Sequence, residues 1–153
     1  MNIGESEKEY LCVYLNAASP LAKQEALTPE QLKDLTLVAY PGEDQRFFYR
    51  SIHRYFSDSP PFFIEKQESI FQMIAEMEDV AGVFPHLAIF NNRYVERGLI
   101  TALPVKNHPM PGLSCVMYPK ADQLTPGQRV VLALIQRRLE ELLRLLVNDS
   151  ENA

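Results

Sequence analysis

Residues 10–15 read Tyr-Leu-Cys-Val-Tyr-Leu, a continuous apolar run with Glu9 before it and Asn16 after it. A strand with one wet face alternates apolar and polar residues. A run without alternation suits a strand covered on both faces, and so a parallel or mixed sheet with helices on each side. The rest of the chain agrees. Ser19-Pro20-Leu21-Ala22 turns the chain, and Thr28-Pro29-Glu30-Gln31 reads as N-cap, first-turn proline and capping-box glutamine of a short helix through Leu35. Thr36–Tyr40 is the next strand, stopped by Pro41-Gly42. Gln45–Phe56 carries Phe48, Ile52, Tyr55 and Phe56 at helical spacing. Phe62–Ile64 is a short strand, and Glu68–Met77 a helix with Ile70, Ile74 and Met77 on one face. Ala81–Phe84 is a strand closed by Pro85. Leu99–Val105 and Leu113–Tyr118 are strands separated by a turn rich in proline. Thr125-Pro126-Gly127-Gln128 opens a long helix to Val147, with Arg137/Glu141 and Glu140/Arg144 as i,i+4 pairs on its wet side and Leu132, Leu139, Leu142, Leu143 and Leu146 forming a leucine face. No internal repeat is present.

Strands and helices alternating in this way predict an α/β layered fold. Ligands in such sheets sit outside the carboxyl ends of the strands. Here those ends are Asn16–Ser19, Tyr40–Glu43, Glu65–Glu68 and Pro85-His86.

Composition narrows the partners. The 153 residues, 46% of them hydrophobic, are enough for one sizeable core. Fifteen Lys and Arg against twenty Asp and Glu give a net charge of −5, with no basic run, so the chain is not expected to contact nucleic acid directly. Cys12 and Cys115 lack CxxC spacing, which argues against a disulfide scaffold or a zinc site and suits a reducing compartment. No apolar run nears the ~20 residues of a membrane span. The first residues, with Glu5, Glu7 and Lys8, do not read as the basic and then apolar pattern expected of a secretion leader. The expectation is a cytoplasmic protein without membrane attachment.

No arrangement of residues supports catalysis. His53 lies on a predicted helix, His108 in the Pro-rich turn, and only His86 falls where a cleft would open. No histidine has a metal-binding spacing, so no metal or cofactor is expected. Cys115 reads as a buried strand thiol, and Glu76, Glu78 and Asp79 as a solvated helix end. No nucleophile elbow, phosphate loop or carboxylate pair is present, and the chain is not expected to be an enzyme. The two strand-to-helix junctions, Tyr40–Arg46 and Glu65–Ser69, hold more promise. Backbone N–H groups at a helix start favour anions, although Glu43 and Asp44 are equally able to cap their own helix.

Leu11-Cys-Val-Tyr-Leu-Asn-Ala-Ala-Ser-Pro-Leu-Ala22 followed by Leu27-Thr-Pro-Glu-Gln-Leu-Lys-Asp-Leu-Thr-Leu-Val-Ala-Tyr-Pro41 resembles the effector-binding domain of LysR-type transcriptional regulators. So do Glu68-Ser69 at a helix start, the strand ending at Phe84-Pro85, and Leu124-Thr-Pro-Gly-Gln before the last helix. The resemblance runs from Tyr10 to Leu146 through the order and spacing of several elements. Ser19 stands where the family usually has histidine, and Glu78 and Val80 where it often has a Gly-x-Gly turn. The helix-to-strand turn is therefore expected to avoid positive φ and to reshape that wall of the cleft.

The resemblance implies a periplasmic-binding-protein-like (type II) lobe, its mixed and mainly parallel sheet flanked by helices, plus a C-terminal strand and long helix. Residues 10–105 would form the second subdomain of the effector domain, and 106–148 the last strand and helix of the first. The DNA-binding half and the remaining strands of the first subdomain are not found in this sequence. The implied function is binding of a small effector in an inter-lobe cleft, which alters how regulatory domains pair. The expected ligand wall is Tyr40, Pro41, Gly42, Glu43, Arg46, Gln67, Glu68, Ser69, Phe84 and His86; Arg46 is the natural counter-ion if the effector is anionic. The alternative is an interaction module without ligand, acting as a homo-oligomer or by pairing with a full-length regulator through the leucine face.

Overall fold

The computed structural model describes residues 10–41, 52, 55–56, 60–106, 110–111 and 121–151. They fall in two compact units. The first, Tyr10–Pro111, contains β1 (Tyr10–Asn16), a 3-10 turn (Pro20–Lys23), α1 (Pro29–Leu32), β2 (Thr36–Ala39), β3 (Phe62–Phe63) and α2 (Gln67–Glu76). It continues with β4 (Val80–Pro85), a second 3-10 turn (His86–Ile89), α3 (Arg93–Glu96), β5 (Ile100–Leu103) and β6 (Met110–Pro111).

The strands form one open mixed sheet in the order β3-β2-β4-β1-β5, with β6 also paired to β1. The sequence-based expectation of a mainly parallel sheet applies only around β2, which runs parallel to β3 and to β4. Every pairing of β1 is antiparallel: with β4 from Leu11 opposite Pro85 to Leu15 opposite Ala81, with β5, and with β6. The apolar run could not reveal this direction, because burial on both faces demands the same composition from a central strand whichever way it runs.

The two-sided burial of β1 is confirmed residue by residue. Leu11, Val13 and Leu15 point into one core with Leu27, Leu32, Leu35, Leu37, Ile52 and Phe56. Cys12 and Tyr14 point into the other with Val38, Ile70, Phe71, Ile74 and Ile100. The side-chain period of two therefore fills two cores from one strand. Of the helix expected over Gln45–Phe56, Ile52 and Phe56 are buried, Tyr55 packs against the first core, and the remainder lies outside the described residues.

Both Thr-Pro starts form as read. The Gln31 side chain accepts the Thr28 N–H at 2.8 Å, although α1 stops at Leu32 rather than Leu35. At the last helix the exchange is reciprocal: Gln128 Oε1 accepts the Thr125 N–H at 2.9 Å and Thr125 Oγ1 accepts the Gln128 N–H at 3.3 Å. On α2 the buried stripe is Ile70, Phe71 and Ile74, while Met77 falls past the helix end in extended backbone and is exposed. The turn from α2 into β4 is made without positive φ. Among the described residues that conformation occurs only at Asn91 (φ 57) and Gly98 (φ 67). The Asp79 backbone carbonyl accepts the Thr36 N–H at 2.8 Å and ties this turn to β2.

The described part of the second unit is a 3-10 turn (Ala121–Gln123) and α4 (Pro126–Glu151), which continues past the expected end at Val147. Arg137 pairs with Glu141, and Arg138 joins them; Glu140 with Arg144 is not among the ion pairs of the described residues. Leu132, Leu139, Leu142 and Leu143 are half-buried. The neighbouring face, with Val130 61%, Val131 55% and Leu134 60% exposed, is open as well.

Candidate functional site

Because β2, β3 and β4 share one direction, their carboxyl ends meet at one edge of the sheet. This edge receives Tyr40 and Pro41 after β2, Gln67, Glu68 and Ser69 after β3, and Pro85 with His86 after β4. β1 runs the other way, so its first residue, Tyr10, belongs to this edge, and the Tyr10 and His86 rings lie 4.9 Å apart. The expected fourth strand end, Asn16–Ser19, is at the opposite edge. Asn16 is buried there as a structural clasp, its amide donating to the Ala75 carbonyl at 2.8 Å and its Oδ1 accepting the Ala18 N–H at 2.8 Å. That correction follows directly from the antiparallel pairing of β1.

The β4 end is held firmly. Tyr14, fully buried, donates its hydroxyl to the Pro85 carbonyl at 2.9 Å and lies 3.3 Å from that of His86. Phe84 sets its ring edge-on to Tyr14 at 5.5 Å and 4.8 Å from Phe71. Phe84 therefore supports the strand end from the core side, while His86 is half-buried at the rim. Tyr40 is exposed and Pro41 half-buried. Gly42, Glu43 and Arg46 lie outside the described residues, as do His53, His108 and Cys115.

The start of α2 borders a groove of about 480 Å³ lined by Gln67, Glu68, Phe71, Ala88, Phe90, Asn91, Asn92 and Arg93. No side chain caps α2: Lys66 precedes it in extended backbone, and Ser69 and Ile70 donate back to the Lys66 carbonyl. Glu68 is engaged across the groove. Arg93 forms an ion pair with its Oε1, and the Tyr94 hydroxyl donates to the same oxygen at 3.1 Å. The Arg93 guanidinium also bonds the Tyr94 hydroxyl and lies 5.0 Å from the centre of that ring; this hydrogen bond first, and then the charge of Glu68, hold its pKa above the usual arginine value. Asn92 caps α3, its Oδ1 accepting from the N–H groups of Tyr94 and Val95. Asn91, Asn92, Arg93 and Tyr94 escaped the sequence reading. The available signal was an Asn pair before a short helix, with the first residue suited to left-handed backbone and the second to an N-cap.

Among the described residues no group of three or more His, Cys, Asp or Glu side chains gathers into a metal site, and no helix is long and apolar enough to cross a membrane. Burial pushes the Cys12 thiol up to about 12, which leaves it protonated and inert.

A mixed sheet with helices on both faces, carrying a polar rim where its parallel strands end, places this unit in the layered α/β class. Comparison with known proteins makes this specific. Residues 7–140 match the LysR substrate binding domain, and the chain belongs to that family of transcription-regulator domains. Among solved structures, the regulatory domain of Synechocystis PCC6803 CcmR, in complex with 2-PG, superposes with a TM-score of 0.58 at 19% identity over 90% of this chain and 62% of that one. HinK of Pseudomonas aeruginosa, a LysR family transcriptional regulator, gives 0.60 at 13% identity over 86% and 45%. The MetR regulatory domain of N. meningitidis gives 0.54 at 20% over 67% and 47%. These similarities establish the periplasmic-binding-protein-like fold. This chain spans between 45% and 62% of the length of these three relatives. Among curated protein sequences no match is found.

Proposed function

We propose that the Tyr10–Pro111 unit forms one wall of the effector site of a cytoplasmic LysR-type regulator, with a small molecule seated at the edge where β2, β3 and β4 end. The observation that carries this reading is the convergence of Tyr40, Pro41, the first turn of α2 and His86 on that edge. The edge is braced from beneath by the Tyr14 hydroxyl and by the tilted ring contact of Tyr10 with His86. The same reading assigns Arg46 the counter-ion role for an anionic effector and includes Gly42 and Glu43, which follow Pro41 in the sequence. Binding would act on the pairing of regulatory domains and, through them, on DNA. The relative solved in complex with 2-PG supports a small-molecule effector.

A thermal-shift panel of small phosphates and carboxylates on the full chain tests the reading. A compound that stabilises saturably should lose about tenfold in affinity, about 1.4 kcal/mol, in Arg46→Ala or His86→Ala. Equal affinity in parent and both variants overturns the placement. The exposed Val130, Val131 and Leu134 of α4 favour a second reading, an interaction module that pairs with another copy or a longer regulator. Sedimentation equilibrium decides it, since a strict monomer at all concentrations removes self-pairing.

A further inference from the structure

We propose that α4 pairs with α4 of a second copy of this chain, side by side and in opposite directions, in the one register that sets Arg138 against the partner's Glu141. The inference rests on the self-pairing reading above and narrows it to one helix, one direction and one register. It starts from the open side of the helix. Val131, Leu134, Arg138, Glu141 and Leu145 recur at alternating spacings of three and four residues, the repeat that lines one side of a helix and faces the second helix of a coiled coil. All five are exposed, the three apolar ones at least half so, whereas the half-buried Leu132, Leu139 and Leu143 lie on another side.

Charge decides the direction. A parallel pair brings each residue of the stripe against its own copy, and so sets Arg138 on Arg138 and Glu141 on Glu141, two layers of like charge. An antiparallel pair reverses the order on the second helix. With Arg138 opposite the partner's Glu141, the same register puts Leu134 opposite the partner's Leu145, and the two-fold axis makes each contact twice. Two layers of opposite charge in the centre are then bracketed by two layers of leucine. A shift of one heptad in either direction sets Arg138 or Glu141 against an apolar residue instead. The axis crosses between Leu139 and Glu140, one residue from the midpoint of Pro126–Glu151, so nearly the whole of a helix about 39 Å long overlaps its copy. Within one chain Glu141 is held by Arg137 as well as by Arg138. Arg138 can therefore turn to the partner's Glu141 without leaving its own unpaired.

Sedimentation equilibrium of the full chain and of charge-reversed variants is the test, with circular dichroism to show that each variant keeps its fold. The expected result for the parent is a reversible dimer. Arg138→Glu and Glu141→Arg each turn the two central layers into like-charge contacts and should weaken the dimer about tenfold. The double variant R138E/E141R restores opposite charges between antiparallel helices and should return to within about twofold of the parent. An equal mixture of the two single variants should recover as well, although neither chain regains its own pair between positions 138 and 141. That recovery separates contact between chains from a role within one helix. Leu134→Glu, at an exposed position, should weaken the dimer about a hundredfold. A dimer unchanged by all three single variants overturns the proposal and leaves self-pairing intact. Charge variants as tight as the parent, with a mixture tighter still, are the parallel pattern and overturn it too. A strict monomer at all concentrations removes self-pairing and this inference together, and leaves the stripe to a longer regulator.

Discussion

Gly82, buried in β4, offers a test in which strand propensity and packing oppose each other. Replacing glycine by alanine inside a strand is favourable by roughly 0.5–1 kcal/mol, because it removes freedom from the unfolded chain. In this structure a Cβ at Gly82 would meet Cε2 of Phe84 at 2.6 Å and Cδ1 of Ile74 at 3.0 Å. The Phe84 ring would have to retreat by most of an ångström, and it has little room to do so. Tyr14 stands edge-on to one side and Phe71 lies 4.8 Å away on another. Overpacking of this kind costs about 1–3 kcal/mol, so the net effect of Gly82→Ala is a loss of about 1–2 kcal/mol. In a chain of this size that lowers Tm by roughly 2–8 °C. Urea melts followed by circular dichroism measure it. The double variant Gly82→Ala/Phe84→Leu, in which the offending ring edge is absent, should be destabilised less than the sum of the two singles. If Gly82→Ala is as stable as the parent, or if the two substitutions simply add, the wedged-ring argument is wrong.

Three further outcomes follow from the same packing. Tyr14→Phe removes the hydroxyl that holds the Pro85 carbonyl and should cost about 1 kcal/mol in urea unfolding, while broadening the His86 imidazole signals that its neighbouring strand end positions. Cys12 should resist a thiol reagent in the native state and react once urea unfolds the chain. Burial raises its pKa to about 12 from the ordinary thiol value of 9.0, so between those two pH values the unfolded chain releases a proton that the native chain keeps. Stability should therefore fall as pH rises through that window, and the fall should be shallower in Cys12→Ala. Gly98 has φ 67 with open space where a Cβ would stand, so Gly98→Ala should lose about 1 kcal/mol to backbone strain alone, whereas Gly98→Asn, better suited to left-handed backbone, should lose less; equal losses would point to a steric cause instead.

Legibility in the sequence varied with how local the determining physics is. The Thr-Pro-x-Gln starts were readable because a capping box is closed by residues three positions apart. The strand at Tyr10–Asn16 was readable because nothing else explains six apolar residues between polar ones. The tertiary sheet pairing was not. Asn16–Ser19 looked like a ligand-facing strand end only while β1 was taken to run with its neighbours, and one antiparallel pairing moved it to the far edge and brought Tyr10 beside His86. Phe84 looked like a cleft residue by its position at a strand end, but the closeness of Phe71, thirteen positions away on α2, turned its ring toward the core.

By itself, the sequence determined an α/β chain, the Thr-Pro starts of its first and last helices, and that β1 is buried on both sides, each from residue pattern within a short window. The likeness to LysR regulatory domains rested instead on the order and spacing of elements from Tyr10 to Leu146. The structure decided which strand ends share an edge, that Glu68 is committed to Arg93 and Tyr94 some 26 residues away, and that Asn92 carries a buried donor with no partner. Strand direction, ion pairing across a groove and the satisfaction of a buried amide depend on residues far apart in the chain, and only folding brings those residues together.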